Sequence, residues 1–196
     1  MFSEHQPVIA AYARSNPDAC ISLIDVVLQT VRTPFYLVGP RIKDVRQNEL
    51  NSVYLKNATK RKAFKRLRVI KTQLHEDIFS DDKSIEEKLL ILSGIPGLGI
   101  AKSGFVLQLC IGKSGCLDVH NLRRFNIDEK TFRLRDNTKH DTALNKARLY
   151  TNTIKKLGGT EKLWNDWCKL IAQLYPKHYN NALHVSRLQV DFILKV

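Results

Sequence analysis

An all-α fold is predicted by three observations. Apolar residues recur at helical spacing along most of the chain, no segment alternates convincingly as a half-buried strand would, and cap and glycine signals bracket several of the helical runs. The 196 residues suffice for one substantial core or two small lobes.

Pro17, with Ser15 or Asn16 as cap, opens a helix whose Ile21, Ile24, Val27, Leu28 and Val31 fall on a buried face. Pro34, Gly39 and Pro40 interrupt the pattern around Phe35-Tyr36-Leu37-Val38, which reads as helix start, strand or packed loop, with helix and loop preferred. From Thr59 to Ile78, Ala63, Phe64, Leu67, Ile70, Leu74 and Ile78 form one apolar face. Lys60, Arg61, Lys62, Lys65, Arg66, Arg68 and Lys71 occupy much of the rest, either to meet phosphates or simply to be solvated. Ser84-Ile85-Glu86-Glu87 has the spacing of a capping box and starts a helix over Ile85 to Ser93. Gly94 ends it, a turn follows over Ile95–Gly99, and Ile100 to Ile111 forms the next helix before Gly112 and Gly115. A short helix through Leu122 and Phe125, a polar irregular stretch to about Lys139, and helices near Thr142–Leu157 and Thr160–Leu174 come next, with a last apolar segment from Leu183 to Leu194.

The composition, 43% hydrophobic and 26% charged, excludes disordered and fibrous classes. A formal charge of +13 attracts polyanions and makes nucleic acid the leading partner, although a solvated cationic surface has the same composition. Cys20, Cys110, Cys116 and Cys168 lack the spacing of a zinc or iron–sulfur site and read as reduced structural thiols, so no metal or cofactor is expected. No basic leader precedes an apolar run and no stretch is long enough to span a bilayer. The expectation is a soluble, monomeric intracellular protein of cytoplasm, nucleoid or nucleus with no membrane partner.

Six of the nine glycines lie between Gly94 and Gly115. Within that stretch, Ile95-Pro96-Gly97-Leu98-Gly99-Ile100-Ala101-Lys102-Ser103 places two glycines around one apolar residue directly before a helix. Gly97 and Gly99 let the backbone turn sharply and let a phosphate reach the amides of the turn and of the helix start. Ile95 and Leu98 would hold the angle between the two helices, with Ser103 as a small residue where they come close.

This segment resembles the hairpin of the helix-hairpin-helix DNA glycosylase superfamily, which includes endonuclease III, the adenine glycosylases and the 8-oxoguanine glycosylases. The family pattern continues into a second helix, a glycine-containing loop and an aspartate in a V-D-x-H-like string, matched here by Leu117-Asp118-Val119-His120 and followed by Asn121-Leu122-Arg123-Arg124-Phe125. The specific likeness covers about residues 85–125. It implies a two-lobed helical fold without an iron–sulfur cluster, one lobe over about 33–116 and the other combining 1–32 with 117–196.

The implied activity is base-excision repair on double-stranded DNA carrying a damaged base or abasic site: a base flipped from the stack is excised, with associated lyase chemistry through a lysine Schiff base. Asp118 takes the carboxylate role beside the developing oxocarbenium charge, and it also reads as the N-cap of a short helix. Lys102 is the candidate amine, with a phosphate contact or a solvated lysine as alternatives. In the relatives that carry it, this lysine stands two residues after the second glycine. Here Ala101 holds that position and Lys102 follows, a rotation of about 100° around a helix. Gly97, Leu98, Gly99, Ala101 and His120 are the DNA-binding candidates, and at most one of the adjacent Arg123 and Arg124 should face the lesion strand. Phe35, Tyr36, Trp164 and Trp167 are aromatic candidates for stacking, the two tryptophans fitting a core equally well. A monofunctional glycosylase, a non-enzymatic hairpin DNA-binding protein and an abasic-site lyase are the competing readings.

Overall fold

In the computed structural model, residues 2–31 and 38–174 are described. Among them the chain forms α1 (Phe2–Ser15), α2 (Pro17–Thr30), α3 (Val38–Asn48), α4 (Ala58–Phe79), α5 (Ile85–Ser93), α6 (Ile100–Ile111), α7 (Val119–Arg124), α8 (His140–Lys156) and α9 (Gly159–Leu174), with no strand. The all-α expectation holds. The apolar segment from Leu183 to Leu194, with Phe35 and Tyr36, lies outside the described residues.

Local chemistry explains several helix boundaries. The Asn16 side chain accepts from the Ala19 amide at 2.8 Å and Pro17 fills the first helical position, so α2 starts where its donors are satisfied. At α5 the capping box closes in both directions: the Glu87 amide donates to Ser84 Oγ at 3.2 Å, and the Ser84 amide donates to Glu87 Oε2 at 2.7 Å. These bonds from Ser84 hold the Glu87 carboxyl below its ordinary value. α6 ends at Gly112, whose φ of 65° is the left-handed conformation of a glycine C-cap.

Two elements differ from expectation. α1 is absent from the sequence reading; among its described side chains Ile9 and Ala13 are the buried apolar ones, and packing against α2 and α6 supplies what periodicity does not announce. α3 begins at Val38 and takes in Gly39 and Pro40, where the sequence pattern predicts an interruption. A proline in the first turn has no intrahelical acceptor to lose.

The main core joins Leu23, Ile24 and Val27 of α2, Leu67 and Leu74 of α4, Leu89 and Leu92 of α5, Val106 and Leu107 of α6, and Tyr150 and Ile154 of α8. Ile95 and Leu98 from the turn between α5 and α6 enter the same cluster, so the turn is seated on the core and does not project from it. α4 buries the expected apolar residues Ala63, Phe64, Leu67, Leu74 and Ile78. Its cations divide. Lys71 pairs with Asp18 at 2.8 Å and Arg68 with Asp25 at 3.5 Å, while Arg61, Lys62, Lys65 and Arg66 are exposed.

Candidate functional site

The turn between α5 and α6 is built around two glycines with different reasons for being there. Gly97 has φ +88°, which L side chains rarely adopt, so the turn itself demands glycine. Gly99 has φ −78° and ψ 174°, extended backbone open to any residue, and a Cβ placed on it would meet nothing within 4 Å. Neither folding nor internal packing requires glycine at this second position. As the residue before α6 it also supplies no side chain to cap the helix, a position where Ser, Thr, Asp or Asn is favoured by about 0.5–2 kcal/mol over an apolar residue.

The first bond of α6 runs from the Ser103 amide to the Gly99 carbonyl at 3.0 Å, so the amides of Ile100, Ala101 and Lys102 start the helix without an intrahelical acceptor. With Gly97 and Gly99 exposed, the arrangement leaves donors and the positive end of the helix facing an open approach. Leu98 is 2% exposed and its amide donates to the Ile95 carbonyl at 3.0 Å; its part is to anchor the turn, not to touch a ligand. Ser103 is fully buried, as a small residue between close helices should be.

Within the first turn of α6, Lys102 meets Asp118. Lys102 Nζ lies 3.8 Å from Asp118 Oδ2, with the two side chains 20% and 23% exposed. Asp118 is also the N-cap of α7, Oδ1 accepting from the Asn121 amide at 3.2 Å. One carboxylate oxygen therefore holds the helix and the other faces the ammonium. A partly exposed pair at this separation contributes at most about 1 kcal/mol to stability, so its value to the fold is small. Beside it, burial pushes the Cys116 thiol up to about 11; the Lys102 ammonium opposes this and the Asp118 carboxylate adds to it. Burial thus works against the Cys116 thiolate, and Lys102 is the amine that faces the Asp118 carboxylate.

Two residues that the sequence reading did not single out position this cluster. Tyr150, buried in α8, donates its hydroxyl to the Gly115 carbonyl at 2.6 Å and accepts from the Leu117 amide at 2.9 Å, fixing the backbone that leads to Asp118. Gly104 lets that backbone come close: a Cβ there would lie 2.3 Å from the Gly115 carbonyl oxygen and 2.8 Å from the Tyr150 hydroxyl. A glycine inside the helical pattern of α6 was the available signal, because glycine costs about 1 kcal/mol relative to alanine and needs a packing reason. Asn121 Nδ2 adds a bond to the Cys116 carbonyl at 2.8 Å.

The remaining candidates are placed as follows. His120 is exposed on α7, and Ala101 is half-buried in the first turn of α6. Arg123 pairs with Glu129 at 2.7 Å, while Arg124 approaches Asp166 at 3.9 Å. Trp164 packs against Phe105 with ring centroids 6.2 Å apart, the core role weighed for it, and the Trp167 side chain lies outside the described residues. No helix among the described residues is long and apolar enough to cross a membrane. No known protein family, curated protein or solved structure matches the chain.

Proposed function

We propose that this protein is a DNA glycosylase of the helix-hairpin-helix type, with strand-cleaving lyase chemistry at Lys102. The observation that carries the reading is the meeting of Lys102 and Asp118 at 3.8 Å beside a helix start whose first amides have no intrahelical acceptor. A chain with no second purpose for that pair would gain almost nothing by keeping it.

In this reading the turn at Gly97 and Gly99 grips a backbone phosphate of the lesion strand, and a flipped nucleotide brings its sugar to the pair. Asp118 takes a proton from the Lys102 ammonium and passes it to the departing base, so that it is a carboxylate again as positive charge develops on the sugar. The free amine attacks C1′, the bond from C1′ to the base breaks, and the base leaves with the bonding electrons. Loss of the sugar ring oxygen from C1′ then gives the Schiff base, from which elimination cuts the strand. The one-residue offset of Lys102 is compatible with this because its long side chain reaches Asp118 from the adjoining helix position. The two-lobed division and a role for the exposed cations of α4 on flanking phosphates belong to the same proposal. A non-enzymatic DNA-binding protein is favoured by one observation, the cap that Asp118 gives α7, which by itself accounts for an aspartate there.

Gly99→Asp tests the phosphate grip with opposite signs for folding and binding. Aspartate suits the backbone at this position, meets no neighbour and caps α6, so stability should rise by about 0.5 kcal/mol in urea denaturation. Its charge would occupy the phosphate position, and duplex affinity by fluorescence anisotropy should fall by roughly tenfold or more. Unchanged affinity would remove the turn from the DNA interface.

A further inference from the structure

The irregular segment between α7 and α8 is not a loose polar connection. Phe132 is 6% exposed and packs edge-on against Tyr150, ring centroids 5.0 Å apart, and Leu134 lies against the same core. Anchored there, the segment folds into turns: the Arg133 amide donates to the Lys130 carbonyl at 3.1 Å, and the Arg135 amide to Thr138 Oγ1 at 2.8 Å. Lys146 of α8 ties it down by donating to the Arg133 carbonyl at 2.6 Å.

The result is a cleft of about 460 Å³ whose lining includes Lys130, Arg133, Arg135, Lys139 and Lys146 and no acidic side chain. Of the nearby carboxylates, Glu129 holds Arg123 and Asp128 Oδ1 accepts from the Lys130 amide, while Asp136 and Asp141 are exposed and outside the cleft lining. The start of α8 contributes as well. Its N-cap, Lys139, forms no side-chain cap bond, and the helix's first bond is from the Ala143 amide to the Lys139 carbonyl at 2.9 Å. The amides of His140, Asp141 and Thr142 therefore begin without an intrahelical acceptor where Lys139 and Thr142 line the cleft. Asp141 is the acidic residue in the first turn of α8, but it does not line the cleft, so on the cleft side the cations stand unmatched where the macrodipole is already positive.

We infer that this cleft is a phosphate site separate from the turn between α5 and α6, and that it takes backbone phosphates of bound nucleic acid. Phosphate supplies the negative charge that the cleft lining lacks. Tyr150 links the cleft to the candidate site, touching Phe132 on one side and holding Leu117 on the other. A duplex seated here is gripped at a second point, which fixes its direction across Asp118. The inference does not depend on base excision, because binding alone reads it.

The test compares two charge-matched variants, Arg133→Gln/Arg135→Gln in the cleft and Lys155→Gln/Lys156→Gln at the far end of α8, with melting temperature as the folding control. Probes are a labelled 20-base-pair duplex over a range of salt and pyrophosphate by calorimetry. The cleft variant should lose roughly tenfold in duplex affinity, and its log–log salt slope should fall in magnitude by about 2, while the far-end variant keeps both. Equal losses in the two variants, or none in either, would overturn the site. Loss of pyrophosphate binding with duplex affinity intact would overturn the nucleic-acid source and assign the cleft to a free phosphate ligand. Failure here is distinct from failure of the turn. Should Gly99→Asp bind duplex normally while the cleft variant does not, the turn would be excluded and the cleft retained.

Discussion

Asp118→Asn is expected to lower base excision by about 100-fold to 10,000-fold while leaving folding and duplex binding nearly unchanged. The substitution separates the two functions of one side chain. Asparagine is as good an N-cap as aspartate, so the bond from the Asn121 amide survives and α7 keeps its start. What disappears is the charge facing Lys102 and, in the proposed chemistry, both the proton acceptor and the stabiliser of the sugar cation. Asp118→Ala is the complementary variant: it should lose activity and also about 1 kcal/mol of stability, because the cap goes with the charge. Single-turnover excision on duplexes carrying 8-oxoguanine, thymine glycol or uracil, beside urea denaturation, distinguishes the two. Full excision by Asp118→Asn would reduce Asp118 to a helix cap and favour a non-enzymatic DNA-binding protein.

The second large effect is at Gly104. Glycine to alanine inside a helix ordinarily stabilises by about 1 kcal/mol. Here the added methyl would stand 2.3 Å from the Gly115 carbonyl oxygen and 2.8 Å from the Tyr150 hydroxyl. Backbone has to move, and the two bonds made by Tyr150 move with it. Overpacking of this kind costs about 1–3 kcal/mol, and disturbing buried hydrogen bonds adds about 1 kcal/mol or more, so the net result is a loss of about 2 kcal/mol. Because the displaced segment leads into Asp118, excision should fall further than stability does. Equilibrium unfolding and single-turnover excision on the same preparation measure both. A Gly104→Ala protein as stable as the parent would mean that α6 and the 115–117 backbone are farther apart than described.

The turn between α5 and α6 was legible from sequence because its determinants are local: a capping box, a terminating glycine, and a glycine pair whose backbone needs are set within a few residues. The pairing of Lys102 with Asp118 was legible only as two separate candidates. Their meeting depends on how α6 packs against the loop before α7, and counting positions from the second glycine argued against it. Gly104 and Tyr150 lie 46 positions apart in sequence and become partners only through packing. The cleft at Lys130–Lys146 was invisible for a related reason. An irregular segment has no period to read, and Phe132 gave no sign that its ring would reach the core beside Tyr150.

The central claim is that Lys102 and Asp118 form a reactive pair on DNA, and borohydride trapping tests it most directly. Purified protein would be incubated with end-labelled duplexes carrying a base lesion or a preformed abasic site, with borohydride present to reduce any Schiff base into a stable covalent adduct. The account predicts strand cleavage, a trapped adduct whose modified peptide contains Lys102, and loss of both in Lys102→Gln with duplex binding retained. Adduct formation undiminished in Lys102→Gln would contradict the assignment of the nucleophile, and tight binding without cleavage or adduct on every duplex would contradict the lyase claim.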